Sequence, residues 1–510
     1  MKTNYPHSIA GALGVPANIQ RAVICFGFDH SPNAYPKGRS DETAALMLAR
    51  TLKHELLNSC VPIIVALEDA IRWYKETLDY GIFIEKETLR YGRVAVDAGY
   101  IGDPFSPVPI LCEVERIAQR YGFYRRMSAN QLRLAMIRKY FWWQRLIDEL
   151  PRQSIYLNAN APHTTDDYIA YHIFKARRMA TFNIYRLPIF EGLSSRLMVF
   201  TDPFDQRSPV QLNSGEREPA TLECVADDLA QTLDKIRQGA HRSGCHDRAK
   251  PEAKKISHTA RWIRASPRRI QKKAGKWGNG HIFKNMVTTI YYKLTASRSY
   301  PKENYIYFPL HMQPEASSIP LGGVYSDQGF LVEAFSRVLP AGMKLVVKEH
   351  PLQFSTSDKM NFRSARFYAS LRKMDNVMLV HHSASSDLLI QNSIAAVTLT
   401  GTTVLEALAY GRYCFVLGST ALSKSPNALV PANQAELQDY LDDLACGQLP
   451  VITEEATASF FQWIEKHSVF GYLDPYKHPR LEARLSKKQN IAAVSDALIH
   501  SIKTTLSASA

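Results

Sequence analysis

The sequence is poor in cysteine and has no cysteine cluster. Its seven cysteines, Cys25, Cys60, Cys112, Cys224, Cys245, Cys414 and Cys446, are odd in number, widely spread and without a C-x-x-C pair. That spacing excludes a disulfide framework and a zinc site of the usual kind, and it predicts a reducing compartment, the cytoplasm. Long apolar runs are missing as well. The longest, Val23–Phe28 and Val61–Leu67, are strand-sized, well short of the roughly 18 residues a spanning helix needs. Met1–Gln20 lacks the apolar core of a secretory signal. Acidic residues are scarce in one stretch: between Lys235 and Lys302, eighteen Lys and Arg face only Asp247 and Glu252. The formal net charge of the chain is +14, so the remainder is close to neutral and the charge belongs to that one segment.

What is present is ordinary globular material. The 510 residues are 45% hydrophobic and 10% aromatic, enough for large cores in two to four domains and incompatible with global disorder. In the first third, Ala22–Phe28 and Val61–Leu67 read as buried strands, Arg93–Val96 as a third strand and Ser154–Leu157 as a fourth. Helical patterns cover Asp41–Leu57, Gln131–Leu150 and Asp166–Arg178. From Asp205 to Ser299 the pattern changes to an interdomain or elaborated-loop region, with a partial helix over Ser257–Lys276. The last third alternates again. Strands are predicted at Asn304–Phe308, Lys344–Lys348, Val377–Val380, Ala395–Leu399 and Cys414–Leu417, and helices at Asp327–Val338, Phe362–Arg372, Ser385–Gln391 and Val404–Tyr410. Strand–helix alternation of this spacing predicts doubly wound α/β domains with parallel sheets. The division expected is 1–204, a first Rossmann-like domain; 205–302, a basic insertion; 303–480, a second Rossmann-like domain; and 481–510, a terminal helix or tail crossing back to the first domain.

In such sheets ligands bind outside the carboxyl ends of the strands. The residues there in the last third are His311, Gln313 and Glu315; then Lys348, Glu349 and His350; then His381 and His382; then Thr400-Gly401-Thr402-Thr403. The Thr-Gly-Thr-Thr turn opens a helix. It reads either as a turn presenting N–H groups and hydroxyls to an anion, with Gly401 supplying a conformation a bulkier residue lacks, or as an ordinary capped helix start with Thr402 or Thr403 as cap. Glu406, one turn on, can meet the same ligand through ribose hydroxyls. His350, held by Pro351 in an extended turn, can donate to a phosphate or protonate it as it leaves. Gln313 and Glu315 offer an amide and a carboxylate for sugar or base contacts, or else belong to a polar loop.

Taken together, Pro309–Glu315, Lys348-Glu-His-Pro351 and Thr400–Leu408 with Gly411 resemble the bacterial capsule and surface-polysaccharide glycosyltransferases, and the His-Pro and Ser/Thr-rich pair is similar to that of Kdo transferases and polysialyltransferases. The resemblance spans about Tyr305–Leu422. It implies a GT-B fold, two Rossmann-like domains facing a cleft, with His350, Thr400, Thr402 and Thr403 on the donor phosphate and Glu406 at its ribose. In the first half, Asn160–Tyr168 resembles the Pro-His-Asp loop of related proteins. Tyr168 stands where the acidic-acidic-Gly element of polysialyltransferases has Gly. Asp166 and Asp167 are the candidate catalytic bases, with capping of their own helix as the alternative role.

The implied reaction is transfer of a sugar from a CMP- or UDP-linked donor to a growing capsular or lipopolysaccharide-type glycan. The nucleotide sugar is a co-substrate and no cofactor is expected. No metal is expected either, since no Asp-x-Asp motif stands in an acidic cluster. A non-hydrolysing sugar-nucleotide epimerase or a polyol-phosphate polymerase could use the same phosphate contacts. A non-catalytic, membrane-associated polysaccharide assembly factor is the alternative of a different class. The basic segment Lys235–Lys302 fits an anionic membrane surface, an anionic glycan or a solvated linker. Nucleic acid is not expected, because no recognition motif accompanies the charge.

Overall fold

The computed structural model describes residues 8–26, 43–54, 60–66, 81–85, 107–121, 124–187, 196–206, 208–212, 227–238, 279–354, 362–473 and 485–508, with isolated positions between 55 and 80. The predicted strand at Arg93–Val96, the partial helix at Ser257–Lys276 and most of the basic segment lie outside the described residues. The chain forms two compact units. One comprises Met1–Arg217 with Trp463–Ala510, the other Glu218–Gln462.

The first unit is built on β1 (Ala22–Phe26), β2 (Val61–Ala66), β3 (Ile82–Glu85), β4 (Ile155–Asn158), β5 (Ala180–Arg186) and β6 (Arg196–Phe200). Its sheet runs β6-β5-β4-β1-β2-β3, with the short strand Val469–Phe470 beyond β6. Strands β3 to β5 are parallel, while β6 and the short strand pair antiparallel. Every residue of β1, β2, β4 and β6 is buried, as expected of strands covered on both faces. Helices α1 (Thr43–Leu52), α2 (Val108–Ala118), α3 (Ala129–Asp148) and α4 (Thr165–Ala176) accompany them. A capping box starts α3: the Ser128 side chain accepts from Gln131 N–H while Gln131 Oε1 accepts from Ser128 N–H.

The last helix, Lys487–Ala508, belongs to this unit. It buries Val494, Leu498 and Ile502 at four-residue spacing, and Ser495 Oγ donates to the Met47 carbonyl of α1 at 3.1 Å. Asn490 holds the strand turn by accepting from Tyr472 N–H and donating to Tyr472 O. At Gly471 an added Cβ would stand 2.9 Å from Val494, so glycine lets the turn and the helix approach.

The second unit carries β7 (Tyr305–Pro309), β8 (Lys344–Lys348), β9 (Val377–Val380), β10 (Ala395–Thr398), β11 (Tyr413–Val416) and β12 (Ala428–Leu429). All are parallel, in the order β12-β11-β10-β7-β8-β9. The order reverses between β7 and β10, which makes their carboxyl ends the topological switch point. Helices α5 (Asn279–Thr295), α6 (Gln328–Val338), α7 (Ala365–Leu371), α8 (Ser386–Gln391) and α9 (Thr403–Ala409) connect or flank the strands. Asp327 caps α6 through Gly329 and Phe330 N–H, and Ser385 caps α8 through Leu388 N–H, as its sequence position suggests. The core face of α6 is Leu331, Val332 and Phe335, while Phe330 is 60% exposed. Among the described residues no helix is long and apolar enough to cross a membrane. Cys25, Cys60 and Cys414 are buried thiols whose pKa is raised by that burial, so they are chemically quiet.

Candidate functional site

The strand-end loops of the second unit meet at the switch point. The His311 ring at the end of β7 reaches the end of β10, with Nε2 2.9 Å from Thr398 Oγ1 and accepting the Leu399 N–H at 3.1 Å. Burial lowers its pKa to about 4, with Arg363 adding to the effect, so the ring is neutral with its proton on Nδ1. His311 N–H donates to Gln328 Oε1 and Gln328 Nε2 returns to His311 O, which ties the loop to α6. Thr398 Oγ1 also accepts the Gly401 N–H at 3.0 Å.

Gly401 is required for a reason other than the one its position suggests. Its backbone is not in the left-handed region. An added Cβ would instead lie 2.9 Å from Thr398 Oγ1 and 3.1 Å from His311 Cε1, so the glycine makes room for the imidazole. Thr400 is also redirected: its hydroxyl is buried and donates to Ser317 O at 2.8 Å, locking the turn to the loop after β7. Thr402 occupies the N-cap of α9 but makes no side-chain cap. Its hydroxyl donates to Glu406 Oε1 at 2.8 Å, which pairs the two residues expected to share a ligand. Thr403 is the first residue of α9 and is buried.

At the end of β8 the sequence Lys348-Glu349-His350 splits into different roles. Lys348 is buried, and its Nζ donates to Ser386 Oγ of α8 at 2.6 Å. Glu349 is wholly buried and forms an ion pair with Arg363 at 2.7 Å; it also accepts from Tyr368 OH at 2.7 Å and from His350 N–H at 2.8 Å. Arg363 NH1 in turn donates to Gln313 Oε1 and NH2 to His311 O. The Gln313 amide is consumed further by Ser326 O, and its N–H by Gln353 Oε1. Gln313 and Glu349, expected at the ligand, therefore hold the loops from inside. His350 is half-buried above this network. Its Nδ1 accepts the Leu352 N–H at 3.2 Å, which leaves the proton on Nε2. Glu315 uses its carbonyl to accept Ser318 and Ile319 N–H, organising the turn against which Thr400 packs.

The end of β9 contributes a basic corner. His381 Nδ1 lies 2.6 Å from Ser383 Oγ, and the His382 ring packs edge-on against Phe354. His382 Nδ1 is buried without a hydrogen-bond partner. Burial lowers the His382 pKa to about 3, with His381, Lys293, Lys348 and Arg298 adding to it. The sequence places both histidines at a strand end, but gives no sign of Arg363, Ser386 or Tyr292 as partners of this region.

In the first unit Asp166 and Asp167 are bound into the fold. Asp166 is buried, pairs with Lys139 at 2.7 Å and accepts from Trp143 Nε1 at 3.2 Å. Asp167 Oδ1 accepts from His163 N–H at 3.0 Å and Thr164 N–H at 2.6 Å, completing a capping box with Thr164. Asp167 therefore orders the loop before its helix, at the switch point of its own sheet, while Asp166 ties that helix to α3. Asp167 takes the capping role expected as the alternative, whereas Asp166 is the partner of Lys139 and Trp143.

The chain thus combines two doubly wound α/β units, the second with a polar constellation at its switch point. Residues 230–424 match the family described as Capsule polysaccharide biosynthesis protein. That stretch contains β7 to β11 and every strand-end residue of the second unit named above. Among solved structures, the chain is similar to Thermosulfurimonas dismutans KpsC, a beta Kdo 2,7 transferase, at 11% identity over 75% of this chain and 95% of that one, with a TM-score of 0.29. It is also similar to Anabaena Alr3699/HepE in complex with UDP and glucose, at 12% identity over 95% and 100%, TM-score 0.26. A third is the UDP-GlcNAc 2-epimerase of Methanocaldococcus jannaschii, at 12% identity over 87% and 98%, TM-score 0.25. Likenesses of this size carry no argument about reaction or substrate. No curated protein matches the chain.

Proposed function

We propose that the protein is a metal-independent glycosyltransferase that moves a sugar from a CMP- or UDP-linked donor to a growing capsular or lipopolysaccharide-type glycan. The second unit would hold the donor and the first would receive the acceptor. The observation that carries this reading is the fixed tautomer of His350: Nδ1 is occupied by Leu352 N–H, so Nε2–H is a donor at the carboxyl end of β8. There it would meet a leaving phosphate, and a hydrogen bond that strengthens as charge grows lowers the barrier. Thr402 and Thr403 would complete the phosphate contacts at β10. Glu406, oriented by Thr402, would accept from ribose hydroxyls. Lys348 supplies positive charge beside them. The reaction would run at the inner face of the cell membrane, with the protein peripheral to an anionic lipid surface.

Thermal melting of the full chain with CMP, CDP and UDP tests the donor site, and product analysis with the matching nucleotide sugars tests the reaction. A rise in melting temperature with one nucleotide, and sugar transfer only when an acceptor glycan is present, are expected. No shift with any of the three overturns the donor site. Conversion of the donor without acceptor would assign the site to an epimerase.

A further inference from the structure

The helix α5 has two faces of different character. Thr288, Tyr292 and Ala296 point into the core of the second unit, and Tyr292 OH donates to Val380 O at 2.7 Å while accepting Glu349 N–H at 3.2 Å. On the other side Met286, Val287, Ile290 and Leu294 are exposed by 41%, 39%, 41% and 80%. Positions 286, 290 and 294 lie one above another, with 287 beside them, so they form one continuous stripe. Single exposed apolar side chains are ordinary, but four on one stripe are a surface that water does not favour.

The charge on the helix itself has one sign. The helix Asn279–Thr295 contains no Asp or Glu, and it carries Lys284 and Lys293. Arg298 and Lys302 follow it, and Lys272, Lys273 and Lys276 precede its first residue by seven positions at most.

We infer that the outer face of α5 seats the second unit on an anionic lipid surface. The proposal deepens the peripheral-membrane reading given above and is independent of the donor assignment. An apolar stripe flanked by cations and lacking acids matches the lipid interface, where acyl chains lie beneath anionic headgroups. A nucleic acid would use the charge and not the stripe. A second copy of this chain placed face to face would set cation against cation. The seat lies close to the strand-end site: His381 N–H donates to Ser297 O and Ser297 N–H to Leu379 O, two residues beyond the helix. A lipid-borne acceptor would thus arrive at the level of the carboxyl ends of β8 and β9.

The test is co-sedimentation of the full chain with phosphatidylcholine vesicles, with and without about a third phosphatidylglycerol. The wild type is expected to pellet with the anionic vesicles only. The double variant Ile290→Glu, Leu294→Glu should lower the bound fraction about tenfold, and Leu294→Ser alone less, with melting temperatures and nucleotide-induced shifts unchanged. Equal binding to neutral and anionic vesicles overturns the proposal, as does undiminished binding of both variants. A wild-type dimer that the double variant dissolves would assign the stripe to a second copy and overturn it equally. Vesicle binding without any nucleotide shift would leave this proposal standing while the donor reading failed.

Discussion

His311 Nε2 stands 2.9 Å from Thr398 Oγ1, so one imidazole joins the carboxyl ends of β7 and β10 across the switch point. The bond pattern needs the ring neutral, because Nε2 also accepts the Leu399 N–H. The folded pKa of about 4 lies below the 6.5 of an unperturbed histidine, so the unfolded chain binds the proton first. Its contribution to stability is complete above pH 6.5 and is lost as pH falls toward 4. Urea denaturation between pH 7.5 and 4 should show stability falling across that window. His311→Gln, which keeps an acceptor and cannot titrate, should have a shallower slope there.

Gly401→Ala should disturb the same joint. The new methyl group would press on Thr398 Oγ1 and on the His311 ring, both held by their own bonds. Overpacking of this kind costs about 1–3 kcal/mol. Loss of nucleotide-induced thermal shift should exceed the loss of melting temperature, because the Thr402–Glu406 pair begins at the next residue.

His350→Ala should abolish transfer and leave the fold intact, since its ring takes no part in the core. A loss of at least roughly 10²–10³ in turnover is expected for removing a donor to a developing anion. Single-turnover assays at saturating donor check it, with circular dichroism as the folding control. Wild-type turnover would sink the assignment.

Asp166→Asn should weaken the first unit without touching the donor site. Lys139 would be left as a buried cation lacking its counter-charge, a change that costs about 3–5 kcal/mol. Urea melts should show the loss, and nucleotide-induced shifts at a temperature where the protein stays folded should persist. If Asp166 were instead the proton acceptor, turnover would collapse while stability held.

The strand ends of the second unit were legible because each follows a short apolar run, and β7 to β11 fall at the predicted positions to within a residue or so. The antiparallel pair β5–β6 was not, since Ala180–Arg186 mixes Thr, Asn and Tyr into its apolar positions and lies just behind a predicted helix. What the strand-end residues do was harder to read than where they sit. Lys348, Glu349 and His350 are consecutive, yet one meets α8, one enters the core and one stays half-buried with its ring against Leu352 N–H. That division depends on Arg363, fourteen residues beyond Glu349 and marked by no local pattern. Gly401 illustrates the same limit: its identity was noted, but its cause is a ring 90 positions earlier in the chain. Asp166 and Asp167 looked alike in sequence and are separated only by Lys139 and Trp143, which α3 brings from upstream.

The buried chain of hydrogen bonds from Gln353 through Gln313, Arg363 and Glu349 to Tyr368 has a bearing on how such sequences can drift. Its members satisfy one another's polar atoms in the interior. Changing Glu349 alone strands a guanidinium, and changing Arg363 alone strands a carboxylate, whereas replacing both by apolar groups removes the debt from both sides at once. The pair should therefore travel through related sequences as a unit, kept together or exchanged together. Neighbouring Lys348 and His350, which under the proposed function answer to a ligand, should vary on a different schedule.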